Sequence, residues 1–194
     1  MSRATAQPSA TGGLTFEQYL TLPETMRRQE VIDGVIVMSP TPTFWHQQVL
    51  GRVFLRFNEF LGPLGLGRAF MAPADVLIRK VPKLRTRQPD LIFLGRAKLA
   101  GLDLKRTNVL EIAPDLVAEI RSPNDRPKAW AEKLADYASI GIGEVWLVDT
   151  DQETIEVLSL VGGEYIRSGL FAGQDVIGSL ILPGLGMPAA ALFH

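Results

Sequence analysis

Two apolar runs, Leu116 to Ile120 and Glu144 to Asp149, bracket an amphipathic segment that begins near Pro127. A strand, a helix and a second strand in that order constrain the fold more than any other stretch. A short hairpin cannot join parallel strands, so the unit implies one parallel pair with a crossover helix. Pro127 suits the first turn of that helix, Asn124 or Asp125 its cap, and Gly141 the residue just past its end near Ile140.

The flanking chain adds antiparallel signals. Thr15-Phe16-Glu17-Gln18 is a capping-box pattern, which predicts a short helix over Phe16 to Leu20 that stops before Pro23. Glu30 to Met38 is two apolar runs about Asp33-Gly34, a hairpin signal. Between His46 and Leu61 the residues Val49, Leu50, Val53, Phe54, Phe57, Phe60 and Leu61 recur at helical spacing, and Gly62-Pro63 is expected to end the helix. Ala69 to Met71, Val76 to Ile78 and Leu91 to Leu94 are candidate strands. Thr154 to Leu160 and Tyr165 to Gly169 read as a closing hairpin, and the apolar tail after Pro183 as a short helix on the body. The fold class is therefore α/β or α+β with a mixed β-sheet. It is expected to be one domain over 14–194, preceded by a disordered tail over 1–13.

The chain has 194 residues, enough for a core without covalent staples, and no Cys, which excludes disulfides, Cys-based zinc sites and thiol nucleophiles. It shows neither a signal-peptide core nor an apolar run long enough for a membrane span, so a cytoplasmic location is the expectation. The net charge of −1 hides an asymmetry: residues 1–110 hold 15 Lys and Arg against 8 Asp and Glu, and residues 111–194 hold 5 against 13. Five of the cations, Arg79, Lys80, Lys83, Arg85 and Arg87, precede Pro89-Asp90. They suit a solvated hairpin loop as well as a phosphate-contacting loop beside the carboxylates; their position favours the second.

Carboxylates are rare inside aliphatic strands because burying the charge is costly without a partner. Asp90 opens one apolar run and Glu119 sits near the end of another. They can meet only if their strands are neighbours in one sheet. Meeting there, they would bind Mg²⁺ or Mn²⁺, cations that prefer oxygen ligands; two exposed acids at strand ends would read the same way. Lys133 follows on the helix, flanked at helical spacing by Trp130 and Tyr137. It suits a surface pair with Glu132 or Asp136, or, beside two carboxylates, a charge that orients water or a phosphate. Asp33 and Asp75 read as turn residues.

Pro89-Asp90, Glu119 with Ser122-Pro123, Glu132-Lys133-Leu134 with Tyr137, and Gly143 to Asp149 occur in an order and spacing that resemble the Uma-two family of restriction endonucleases, within the PD-(D/E)XK nuclease superfamily. Arg28 to Gly34 resembles the family's leading hairpin, and Thr43 to Gln47 its His-Gln helix start; Gln29 stands where members often have Tyr. The resemblance covers about residues 14–193. It implies a restriction-endonuclease-like mixed sheet flanked by helices, and hydrolysis of a DNA phosphodiester with Mg²⁺ or Mn²⁺ held by Asp90, Glu119 and the carbonyl of Ile120. The superfamily's lysine, two residues past the acid, is here Arg121, which stays protonated and cannot act as a base. Lys133 would then supply the ammonium. Glu30 would be a further ligand or a partner of Lys133, and His46 and Tyr137 candidates to line the site, although a lone His at a helix start is more often a cap or a packed ring. A homodimer is expected by the same analogy. The rival readings are a silent relative that binds nucleic acid or protein, which Arg121 favours, and a metal-dependent hydrolase of small phosphorylated molecules.

Overall fold

The computed structural model describes residues 13–23, 25, 27–121 and 127–194. Most of the expected tail and the expected cap at Asn124 or Asp125 lie outside these residues.

A six-stranded mixed sheet organises the chain. Its strands are β3 (Gly67–Met71), β6 (Leu91–Gly95), β8 (Leu116–Arg121), β9 (Glu144–Asp149), β10 (Thr154–Val161) and β11 (Glu164–Ala172), in the spatial order β11-β10-β9-β8-β6-β3. β8 and β9 are the parallel pair, joined by the crossover helix α4 (Pro127–Ser139); the other pairs are antiparallel. Both central strands are buried on both faces, which is why they read as unbroken apolar runs.

The two faces of this sheet hold different layers. On one lies α2 (Phe44–Leu64), whose Val49, Leu50, Val53, Phe57 and Leu61 pack against Ala118, Ile120, Trp146 and Val148. Phe57 meets Trp146 edge to face, with ring centroids 5.1 Å apart. On the other lie α4 and a five-stranded sheet, so that Tyr137, Val76, Ile78 and Leu110 pack on Ile92, Val117 and Val145. The second sheet has the order β2-β1-β5-β4-β7, from β1 (Gln29–Ile32), β2 (Val35–Met38), β4 (Asp75–Arg79), β5 (Arg85–Arg87) and β7 (Val109–Leu110). A short α1 (Phe16–Leu20), with both hydrogen bonds of its capping box formed by Thr15 and Gln18, covers its outer core. α3 (Arg96–Leu99) and a 3₁₀ turn at Ala189–Leu192 complete the elements, and Leu192 and Phe193 bury the tail as expected.

Asp33 and Gly34 both take left-handed conformations (φ 53° and 81°), the geometry of a tight hairpin turn. Three expectations change. The long helix does not stop at Gly62-Pro63. Pro63 lies in its last turn, where one lost hydrogen bond is tolerated, and left-handed Gly65 closes it by donating to Gly62 and Leu61. Asp75 is no turn residue but opens β4, where it accepts from Tyr19 and Gln88. The basic stretch is not one loop. Its second half is β5, with Arg85 and Arg87 each 6% exposed.

Candidate active site

β6 and β8 are antiparallel neighbours with Leu91 opposite Ala118. Asp90 and Glu119, one step further on each strand, therefore come side by side. Strand alternation turns both toward the face that carries α4. They are 1% and 2% exposed, so the two carboxylates are taken almost wholly out of water.

What holds two acids there is a ring of cations and donors. Arg28, just before β1, pairs with Asp90 Oδ1 and donates from its second terminal nitrogen to the Gln88 carbonyl at 2.6 Å. His46 Nε2 lies 3.2 Å from the same Asp90 oxygen, and the Ile120 N–H donates to Oδ2 at 2.7 Å. Lys133 Nζ sits 2.7 Å from Glu119 Oε1 and 3.8 Å from Glu30 Oε1, and the Tyr137 hydroxyl donates to Glu119. Glu30 in turn accepts from Arg87 at 2.7 Å and from the Gln88 N–H at 3.2 Å.

The two acids respond in opposite directions. Burial pushes the Asp90 carboxyl up, but the His46 hydrogen bond and the Arg28 charge outweigh it and leave it below its ordinary value. Burial and then the repulsion of Asp90 outweigh the attraction of Lys133 at Glu119, which is left above its ordinary value. Glu30 is also opposed by burial, yet Lys133 and Arg87 draw it down. Glu119 is thus an acid at which burial outweighs the positive charge beside it. Two polar atoms of this ring, Nδ1 of His46 and Nε of Arg28, are buried without a hydrogen-bond partner among the described residues.

This donor set suits Mg²⁺ or Mn²⁺. No group of three or more His, Cys, Asp or Glu side chains is gathered to hold a metal ion among the described residues, so the carboxylate donors here are two, Asp90 and Glu119. Their carboxylate oxygens, now paired with Arg28 and Lys133, are of the kind a hard cation prefers.

The site thus gathers Asp90, Glu119, Glu30, Lys133, His46 and Tyr137. Arg121 stands apart. It shares a face with Glu119, but its guanidinium lies 3.9 Å from Asp149 and 5.9 Å from the Trp130 ring centroid. The expected DNA-contacting loop needs correction at two positions. Arg85 pairs with Asp136 at 3.0 Å, Glu132 at 2.8 Å and Asp33 at 3.1 Å; Arg87 pairs with Asp136 at 2.6 Å and with Glu30. Acids from α4 and β1 neutralise them, so these two arginines are internal struts between the second sheet and the site. Arg79, Lys80 and Lys83 are at or near the surface, with Arg79 on Asp33 and Lys80 2.7 Å from Glu111. They lie at the opposite end of the β4–β5 pair from Asp90, so closeness in sequence did not mean closeness in space.

Arg28 and Gln88 are site residues that the strand and spacing patterns did not single out. Their sequence signals are adjacency, Arg28 two residues before Glu30 and Gln88 two before Asp90, and for Arg28 its place at the start of the stretch that resembles the leading hairpin.

The family model described as "Uma2: Putative restriction endonuclease" matches residues 16–190, nearly the whole chain. The chain belongs to the Uma2 family. Among solved structures, a putative nuclease belonging to DUF820 from Anabaena variabilis ATCC 29413 is similar in fold. Its TM-score is 0.75 at 23% identity, over 93% of this chain and 97% of that one. No functionally curated protein matches the sequence. The Uma2 assignment accounts for the mixed sheet with helices on its faces, and places the chain among nuclease-like proteins. No helix among the described residues is long and apolar enough to cross a membrane.

Proposed function

We propose that this Uma2 protein is a metal-dependent endonuclease of PD-(D/E)XK type that hydrolyses DNA phosphodiesters. The observation that carries the reading is the pair of buried carboxylates, Asp90 and Glu119, on adjacent strands, with the Lys133 ammonium 2.7 Å from one of them. Asp90 and Glu119, helped by the Ile120 carbonyl, would hold Mg²⁺ or Mn²⁺. When bound, the cation supplies Lewis acidity to the phosphoryl oxygens.

The chain's own residues do the rest. Lys133 enters from α4 and takes the part that the strand lysine plays elsewhere in the superfamily. It donates toward a non-bridging oxygen and stabilises the charge that develops there, while Glu30 and Glu119 fix its direction. Water attacks phosphorus and yields a proton to solvent, the P–O bond to one ribose oxygen breaks, and that oxygen leaves after taking a proton from solvent. Asp90, held ionised by His46 and Arg28, stays available as an anionic ligand. Arg28, whose charge is secured by Asp90, Glu119 and Glu30 against the cost of burial, is placed to receive a phosphate when it lets go of Asp90. Lys80 and Lys83, exposed and distant, serve as outlying contacts to the DNA backbone.

The active form is a homodimer, which sets two cutting sites against the DNA. Its joint is β2, an edge strand whose Val35, Ile36, Val37 and Met38 are all exposed and carry no charge. The deciding experiment is nicking of supercoiled plasmid by the wild type and Asp90→Ala, with and without Mg²⁺ or Mn²⁺. Metal-dependent nicking that disappears in Asp90→Ala is expected. Nicking that is indifferent to metal or to Asp90 would overturn the proposal.

A further inference from the structure

A cavity of about 670 Å³ lies on the same side of the six-stranded sheet as the two carboxylates. Ile92 and Leu94 form one wall, and by strand alternation they continue the line of Asp90 along β6. Ile92 is two residues from Asp90, so the cavity begins about 7 Å along the strand from that carboxylate at roughly 3.3 Å per residue. Phe70, paired with Ile92 across the sheet, and Leu102 add apolar surface.

Leu22, Leu104 and Leu110 add further apolar lining, and a polar cluster is set into it. Asp75 accepts from the Tyr19 hydroxyl at 2.6 Å and from Gln88 Nε2 at 2.8 Å, and Gln88 Oε1 accepts the Gln29 N–H at 3.1 Å. Gln88 belongs to both sites. Its side chain is in the cavity wall, and its backbone is gripped by Arg28 and Glu30 of the carboxylate cluster.

We propose that this cavity receives a nucleobase of the substrate strand, unstacked next to the phosphate being cut and carrying an exocyclic amino group, as cytosine and adenine do. The inference rests on the nuclease reading. A flat heterocycle uses the apolar walls for its faces, and its amino group gives Asp75 the donor that a hydrocarbon could not; carboxylates read the cytosine amino group in just this way. An anionic ligand would meet Asp75 unfavourably, whereas a base leaves its own phosphate outside, toward Asp90. Burial leaves the Asp75 carboxyl above its ordinary value, eased in part by Tyr19 and Gln88, so an added donor there is favourable. Extruding a base costs a few kcal/mol in a duplex and least in single strands. The cavity therefore predicts a preference for single-stranded or distorted substrate.

The test is fluorescence anisotropy with labelled five-nucleotide oligomers of dC, dA or dT in EDTA, so that no cleavage intervenes. Wild type is expected to bind the dC and dA oligomers at least fivefold more tightly than dT, with free cytidine competing. Asp75→Asn should erase the preference, and Leu102→Trp, which fills the cavity, should weaken dC binding about tenfold. Equal binding of all three oligomers by the wild type, a measurement that needs no variant, would overturn the inference. So would unchanged dC binding in a folded Leu102→Trp protein. Plasmid nicking read separately distinguishes the two proposals. Nicking without base preference removes the base cavity and keeps the nuclease; base preference without nicking keeps a base-binding cavity but removes the nuclease, and with it the cut phosphate beside the base.

Discussion

Lys133→Ala isolates the group on which the chemistry turns. Its Nζ is 2.7 Å from Glu119 and 3.8 Å from Glu30, lies 5.4 Å from the Trp130 ring centroid, and belongs to a side chain only 15% exposed. A charge so placed is screened little by solvent and is already oriented before substrate arrives. Removing one such donor from a preorganised site costs about 2.7–4 kcal/mol of transition-state stabilisation, or about 10²–10³ in rate. Metal-stimulated plasmid nicking by Lys133→Ala should fall by that factor, with the helix still anchored through Tyr137 and Asp136 and the melting curve still cooperative. Arg121→Ala provides the contrast. Its guanidinium faces Asp149 and Trp130 rather than the carboxylates, so nicking should stay within a few-fold of wild type. A double change, Lys133→Ala with Arg121→Lys, puts an ammonium back on the face of β8 that carries Glu119 and should restore part of the lost rate. Full activity in Lys133→Ala together with a large loss in Arg121→Ala would refute the relocation of the lysine to α4.

Three other expectations concern the framework of the site. Glu30 has its folded carboxyl held below the ordinary value of 4.5 by Lys133 and Arg87 against burial, so it contributes stability above that value, lost as pH falls through the lowered one. In acid titrations followed by circular dichroism, Glu30→Gln should show a shallower loss of stability below about pH 4.5 than wild type; an identical slope would show that the Glu30 contacts are not formed in solution. Asp136→Ala removes the shared partner of Arg85 and Arg87 and leaves two buried guanidinium groups short of charge. Breaking a buried pair costs about 3–5 kcal/mol, and at roughly 2–4 °C per kcal/mol Tm should drop by about 10 °C in a calorimetric scan. Val35→Lys with Val37→Lys charges one face of the β2 edge and should convert a dimer to a monomer by light scattering, without lowering Tm by more than a few degrees. A dimer that persists would place the joint elsewhere.

The sequence was legible where one local rule governed a segment. The capping box at Thr15, the Asp33-Gly34 turn and the strand–helix–strand unit were each written in consecutive residues, and each was found in place. Asp90 and Glu119 were legible as anomalies, acids where aliphatic strands should carry none. Their pairing, however, depended on β6 and β8 being neighbours, which no residue spacing encodes. The basic stretch shows the limit most clearly. Five cations in nine positions look like a solvated or DNA-facing surface under any rule that counts charge locally. Arg85 and Arg87 are buried because Glu30, Glu132 and Asp136, distant in sequence, converge on them, and only the assembled sheets reveal that neutralisation. Arg28 escaped for the same reason, since its partner Asp90 is 62 residues away. A buried ion pair is a property of two segments at once. The arginines that position this site, Arg28, Arg85 and Arg87, were therefore not recognisable as such to a reading that takes the chain one segment at a time, although the acids themselves were.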